Sequence, residues 1–252
     1  MTNTVALLHG FTGSPGGLKP LTDILTTRGL RVVAPALLGH GADDAGIHDF
    51  ESEVQRLARV IAARGGRMHL FGYSLGGRLA IGLLCRRPEL FSGATLVSAQ
   101  PGLSLGQARV DRRVADDVWC ELLVAQGVAA FVKTWENLPL FATQATLAED
   151  VLAAQRAERL SHDAGGLVRS LKICGLAEMP PYWDELRSVR VPTTLMVGER
   201  DAKFVVIAQQ MSEKISGASL VIVPGAGHNV VLERPAIVAD VVTRAILGTG
   251  AQ

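Results

Sequence analysis

Gly72-Tyr73-Ser74-Leu75-Gly76 reads as G-x-S-x-G, a serine between two glycines. The apolar run Met68-His69-Leu70-Phe71 leads into it, and a helical pattern starting Arg78-Leu79-Ala80-Ile81 leads out. The context is therefore strand, turn, helix. Glycines are expected to let the backbone turn sharply there, leaving the Ser74 hydroxyl exposed at the end of the strand. A bare G-x-S-x-G is common by chance. One framed by a strand and a helix is a nucleophile elbow, and it dictates where the partners of the serine must lie.

Outward from the elbow, short apolar, β-branched runs recur at 5–8, 31–34, 69–71, 94–97, 193–197 and 220–223. Such runs suit strands buried on both faces of a parallel sheet. Helical patterns separate them. One covers 18–27, and Phe50, Val54, Leu57 and Ile61 mark the face of a second. The elbow helix is expected over 75–87, closed by Pro88, and a last helix over 235–247 starts at Pro235. The alternation predicts an α/β chain with a mostly parallel, doubly wound sheet and right-handed crossovers.

Between about 104 and 187 the alternation stops and the pattern is helix after helix. Val114, Val118 and Leu122 share one helical face, and Leu147, Val151 and Ala154 share another. The expectation is a core from 1–103 and 188–252, with a helical cap at 104–187 inserted into it. Pro180-Pro181 and Pro192 punctuate the return. The tail 248–252 is expected to fray.

The 252 residues are 48% apolar and 19% charged, enough for one enzyme-sized core with an insertion. A net charge of +1 gives no reason to expect a nucleic-acid or membrane-surface partner. Cys85, Cys120 and Cys174 form no C-x-x-C and read as thiols in a reducing compartment. No signal-like or membrane-length apolar segment stands out, so a cytoplasmic location is expected. Nothing in the pattern announces an oligomer.

A serine hydroxyl needs an adjacent base. With an elbow of this kind the order along the chain is serine, acid, histidine. Thr194-Leu195-Met196-Val197 is followed by Gly198-Glu199-Arg200-Asp201, which puts Asp201 just past a strand end, with Glu199 as its competitor. Leu220-Val221-Ile222-Val223 is followed by Pro224-Gly225-Ala226-Gly227-His228, whose small residues leave room for a loop that delivers His228. Ser74, Asp201 and His228 are the expected triad. The other five histidines, His9, His40, His48, His69 and His162, read as structural. The loop His9-Gly10-Phe11-Thr12-Gly13-Ser14 follows the first strand, and the backbone N–H groups of Phe11 and Leu75 are the expected oxyanion donors. No metal cluster and no phosphate-loop motif is visible, so neither metal nor cofactor is expected.

These residues resemble the α/β-hydrolase superfamily and, within it, the menaquinone-pathway synthase family MenH. The resemblance runs through the His9–Ser14 loop, the elbow with Arg78, and Ser98-Ala99-Gln100-Pro101-Gly102-Leu103. It continues through Arg109, Arg112-Arg113 and Asp116-Asp117, then Trp135-Glu136-Asn137-Leu138-Pro139-Leu140-Phe141, and closes on Gly198–Phe204 and Gly227-His228-Asn229. The segment Ala36-Leu37-Leu38-Gly39-His40-Gly41 lacks the D-x-P-G-H-G form common in that family, and Val230-Val231 stands where it often has a second histidine.

The resemblance implies an α/β-hydrolase fold and elimination of pyruvate to give 2-succinyl-6-hydroxy-2,4-cyclohexadiene-1-carboxylate (SHCHC). The substrate is a small polycarboxylate, which calls for arginine's planar fork. Arg78, beside the elbow, and Arg112, where the family places a cap arginine, are the expected contacts. Tyr73, Trp135 and Phe141 are expected to wall the pocket. Ser74, activated by His228, would act as a base on a ring proton, with the oxyanion donors stabilising charge on a carboxylate. The alternative is a serine carboxylesterase or C–C bond hydrolase, which uses the same triad.

Overall fold

The computed structural model describes residues 3–42 and 45–248; residues 249–252 of the tail expected to fray lie outside them. Six strands form one sheet: β1 (Thr4–Leu8), β2 (Arg31–Val33), β3 (Met68–Tyr73), β4 (Phe91–Val97), β5 (Thr193–Gly198) and β6 (Ser219–Val223). Their order is β2-β1-β3-β4-β5-β6, and every neighbouring pair is parallel. The chain moves from β1 to β2, crosses back to β3 and then proceeds outward. The order therefore reverses at β1/β3, where ligands collect at the carboxyl ends of strands.

Around the sheet lie α1 (Lys19–Thr27), α2 (Phe50–Ala62), α3 (Leu75–Arg86), α7 (Ala202–Lys214), α8 (Val230–Glu233) and α9 (Pro235–Leu247). The strand pleat sorts the core into two halves. Ala6 and Leu8 face the layer of Phe50, Val54, Leu57, Leu79 and Leu83. Val5 and Leu7 face Leu21, Leu25, Val238 and Val242. Each such fully buried valine, leucine or phenylalanine contributes about 2 kcal/mol of burial free energy. The central strands β1 and β3 are buried throughout, as their sequences imply. The expectation of two buried faces fails for β2 and β6, which are edge strands and stay half-exposed.

Between β4 and β5 run α4 (Gly106–Trp135), α5 (Glu149–Leu160) and α6 (Ala164–Cys174), with a 3₁₀ stretch at Pro139–Thr146. Gly127, at φ 76°, breaks α4 into two helices. This segment has its own small core of Cys120, Leu123, Phe131, Val132, Leu167 and Leu171. The helix faces expected to be buried are not the ones that the fold buries. Val114 and Val118 are 60% and 58% exposed, because α4 buries the opposite side, with Asp116, Cys120 and Leu123. Leu147 precedes α5 rather than lying on it, and Ala154 is exposed.

Candidate active site

The elbow is tighter than its sequence suggests, and its glycines serve a different purpose. Ser74 itself carries the positive φ, 51°. Gly72 and Gly76 are needed for close approach: a Cβ on Gly72 would lie 2.5 Å from the Gly76 carbonyl, and one on Gly76 would collide with the carbonyls of Leu8 and His9. Two hydrogen bonds hold the turn, Ser74 N–H to Val97 O at 2.9 Å and Gly76 N–H to His9 O at 3.0 Å. Among the described residues the other non-glycine positions at positive φ are Thr12 (63°), in the loop after β1, and Ser98 (48°), just past β4. Backbone strain of about 1–3 kcal/mol per residue is thus concentrated at one end of the sheet.

At that end the structure brings Ser74, Asp201 and His228 together. The Ser74 hydroxyl is 3.0 Å from His228 Nε2, and His228 Nδ1 is 2.7 Å from Asp201 Oδ2. A carboxylate only accepts, so Nδ1–H donates to Asp201 and Nε2 is left to accept from Ser74. Glu199, the competing acid, turns away and accepts the Gly225 N–H at 2.9 Å. The Phe204 ring packs 4.6 Å from the imidazole, centroid to centroid. Two groups to which the sequence assigned no role support the histidine loop. Ser98 Oγ donates to the His228 carbonyl at 2.8 Å. Buried Glu233 accepts from Gly227 N–H at 2.8 Å and from Thr143 Oγ1 at 3.1 Å, tying the inserted segment to the loop.

Phe11 and Leu75 both line the cavity in front of Ser74. Neither N–H donates to a protein acceptor among the described residues, whereas that of Gly76, next in α3, does. Two buried histidines shape the Phe11 loop. His9 donates from Nδ1 to Gly10 O (2.8 Å) and accepts the Leu37 N–H at Nε2 (3.3 Å). His40 donates to Leu38 O (2.9 Å) and accepts the Thr12 N–H (3.1 Å). Burial pulls their pKa values to about 4 and about 3, so both are neutral and can accept from those amides.

The cavity holds about 330 Å³ and is lined by Tyr73, Trp135 and Phe141 as well as by Arg78 and Arg112. Arg78 donates from Nη1 to the Cys174 carbonyl at 2.7 Å. Burial, helped by repulsion from Arg112, lowers its pKa to about 10, which leaves it charged at neutral pH. Arg112 donates from Nε to Asp116 Oδ1 at 2.9 Å. Burial raises the Asp116 carboxyl, against the pull of both arginines. A third arginine was missed in the sequence. Arg159 is buried, its guanidinium 5.2 Å over the Phe141 ring, with no hydrogen-bond or ion-pair partner among the described residues. It lines a second cavity of about 890 Å³ that shares Phe11, Tyr73 and Phe141 with the first. Among the described residues no cluster of His, Cys, Asp or Glu could hold a metal, and no helix is long and apolar enough to cross a membrane.

The profile of the alpha/beta hydrolase family matches residues 5–241. The 2-succinyl-6-hydroxy-2,4-cyclohexadiene-1-carboxylate synthase of Salmonella typhimurium (strain LT2) is 30% identical over 241 residues, covering 95% of this chain and 92% of that protein. A Bacillus subtilis (strain 168) protein, provisionally given the same synthase name, is 34% identical over 247 residues, covering 96% of this chain and 89% of its own. Among solved structures, MenH from S. aureus superposes with a TM-score of 0.92 at 28% identity, over 98% of this chain and 94% of that one. Fold, length and sequence agree: the chain belongs to the alpha/beta hydrolase family, alongside its SHCHC synthases.

Proposed function

We propose that this protein is an SHCHC synthase, a carbon–oxygen lyase that eliminates pyruvate from 2-succinyl-5-enolpyruvyl-6-hydroxy-3-cyclohexene-1-carboxylate. The observation that carries the reading is the hydrogen-bonded chain Ser74–His228–Asp201 facing a cavity walled by Arg78 and Arg112. Serine hydrolases need the chain alone. Paired arginines in a partly apolar cavity add recognition of a ligand with several carboxylates.

In this reading Ser74 gives its proton to His228 and removes the C2 proton of the ring, which the succinyl ketone acidifies. The C2–H electrons form C2=C3, the C3=C4 pair moves to C4=C5, and the C5–O bond breaks. Pyruvate leaves as its enolate, which is then protonated. Asp201 holds the imidazole in the required tautomer and stabilises its cation. The N–H groups of Phe11 and Leu75 act on the succinyl carbonyl oxygen. That is where the charge grows; a carboxylate is already charged before the proton leaves. Residues 104–187 serve as the cap that closes the site and carries Arg112, Trp135 and Arg159. Arg159 adds a third cation behind Tyr73 and Phe141. Three unpaired thiols fit action in the cytoplasm.

Replacing Arg78 and Arg112 by alanine separates this reading from an esterase. Pyruvate release should collapse while hydrolysis of a small neutral ester is nearly unchanged. Equal loss of both activities, or an acyl-enzyme burst on an activated ester as the preferred substrate, would count for the hydrolase.

A further inference from the structure

Three residues that line the catalytic cavity each carry a buried side-chain atom without a hydrogen-bond partner: Asp116 Oδ2, Trp135 Nε1 and Ser170 Oγ. All three belong to the inserted helices, Asp116 and Trp135 to α4 and Ser170 to α6. An unpaired buried polar group costs about 1–3 kcal/mol, so three together on one cavity wall mark positions a ligand completes.

Their chemistry is not the same. Arg78, Arg112 and the Trp135 indole can only donate, and donors suit carboxylates, which can only accept. Asp116 is the opposite. Its Oδ1 is taken by Arg112 Nε at 2.9 Å, and its Oδ2 stays empty, with Gly175 so close that a Cβ there would come within 3.1 Å. An acceptor in a wall of cations repels a polycarboxylate unless the ligand brings a hydrogen to it. On the proposed substrate the group that can do so is the ring hydroxyl. Burial outweighs both guanidinium groups and keeps the Asp116 carboxyl above its usual range, and a ligand donor would relieve that state.

Resting on the synthase reading, we propose that Asp116 Oδ2 accepts the hydrogen bond of the substrate's ring hydroxyl and makes the site selective for a hydroxylated ring. A site built to bond a hydroxyl leaves its own group unpaired when an analogue lacks it, which gives far stronger discrimination than a missing methylene.

The test compares two ligands by titration calorimetry. One is SHCHC. The other is 2-succinylbenzoate, which SHCHC becomes on losing one water: it keeps both carboxylates and has no ring hydroxyl. Wild-type protein should bind SHCHC about tenfold or more tighter, the equivalent of one hydrogen bond to a charged group. Asp116→Ala should bring the ratio close to unity, although both ligands lose affinity as Arg112 is freed. Asp116→Asn should leave an intermediate ratio, since its amide oxygen goes to Arg112 and its NH₂ at the Oδ2 position can only donate to the hydroxyl oxygen, a neutral bond weaker than the one to the carboxylate. Loss of Arg112 positioning alone lowers both affinities and leaves the ratio intact, so the ratio reports the hydroxyl contact. Pyruvate release from the enolpyruvyl precursor is measured on the same wild-type sample. Release with equal affinities, or a ratio that survives both substitutions, overturns the role of Asp116 alone. No release with no binding of either ligand overturns the synthase reading and this inference with it.

Discussion

Arg78 Nη1 donates to the Cys174 carbonyl at 2.7 Å, so an arginine on the first turn of the elbow helix is bonded to the last turn of α6 in the inserted segment. One side chain thus lines the cavity and fastens the wall that covers it. Arg78→Ala should lower kcat/KM for pyruvate release about 10- to 100-fold, the loss of one charge-assisted contact. Arg78→Lys should not restore it, because a point charge cannot hold the carbonyl and a carboxylate in one plane. Steady-state kinetics on both variants, with thermal unfolding as the control, checks this.

Asp201→Asn should cut kcat by about three to four orders of magnitude with little change in KM, because the amide favours the wrong imidazole tautomer. Glu199→Gln is the contrast, since Glu199 bonds Gly225 and not His228. Single-turnover rates on the two variants decide between the acids: a larger loss in the glutamine variant would reverse the assignment.

Gly76→Ala should destabilise the fold by at least about 3 kcal/mol or prevent folding, because its Cβ meets two fixed backbone carbonyls. Gly106→Ala should be neutral or stabilising by up to about 1 kcal/mol, since no atom lies within 4 Å of a Cβ there and the residue starts α4. Urea unfolding of both gives opposite signs if the close approach of α3 to β1 is as described.

His69 is buried in β3, with Nε2 2.8 Å from Thr95 Oγ1, and burial lowers its pKa from 6.5 to about 4. Its folded pKa lies below the unfolded one, so the unfolded state binds the proton first as pH falls. Stability is intact above pH 6.5, declines from there to about pH 4, and by then has lost about 3 kcal/mol on this account. His69→Gln should flatten that part of the stability–pH curve, measured by urea unfolding between pH 7 and pH 4. A curve of unchanged slope would show that His69 takes up a proton in the native state as readily as in the unfolded one.

The sheet and the Ser74–Asp201–His228 line were legible because each depends on short-range pattern: an apolar run, then small or acidic residues at a fixed offset. The true role of the elbow glycines was not, since contact between Gly76 and the end of β1 joins residues far apart in sequence. The exposed face of α4 was misread for a related reason. Val114 and Val118 repeat at helical spacing, but which side of a helix is covered depends on what packs there, and here Asp116 and Cys120 face inward. Arg159 belongs to no motif that sets it apart from the other charges of α5. Only the tertiary fold sets it over Phe141 beside the cavity. Ser98 and Glu233 act through the backbone of the His228 loop, and such bonds leave no spacing signature.

The most direct measurement is the release of pyruvate from 2-succinyl-5-enolpyruvyl-6-hydroxy-3-cyclohexene-1-carboxylate, followed with a coupled dehydrogenase and compared between wild-type protein and Ser74→Ala. The account predicts one pyruvate and one SHCHC per substrate consumed, no covalent adduct on Ser74 by mass spectrometry, and near-complete loss of turnover in the alanine variant. Folded wild-type protein that releases no pyruvate above background, or Ser74→Ala that releases it at the wild-type rate, would contradict it.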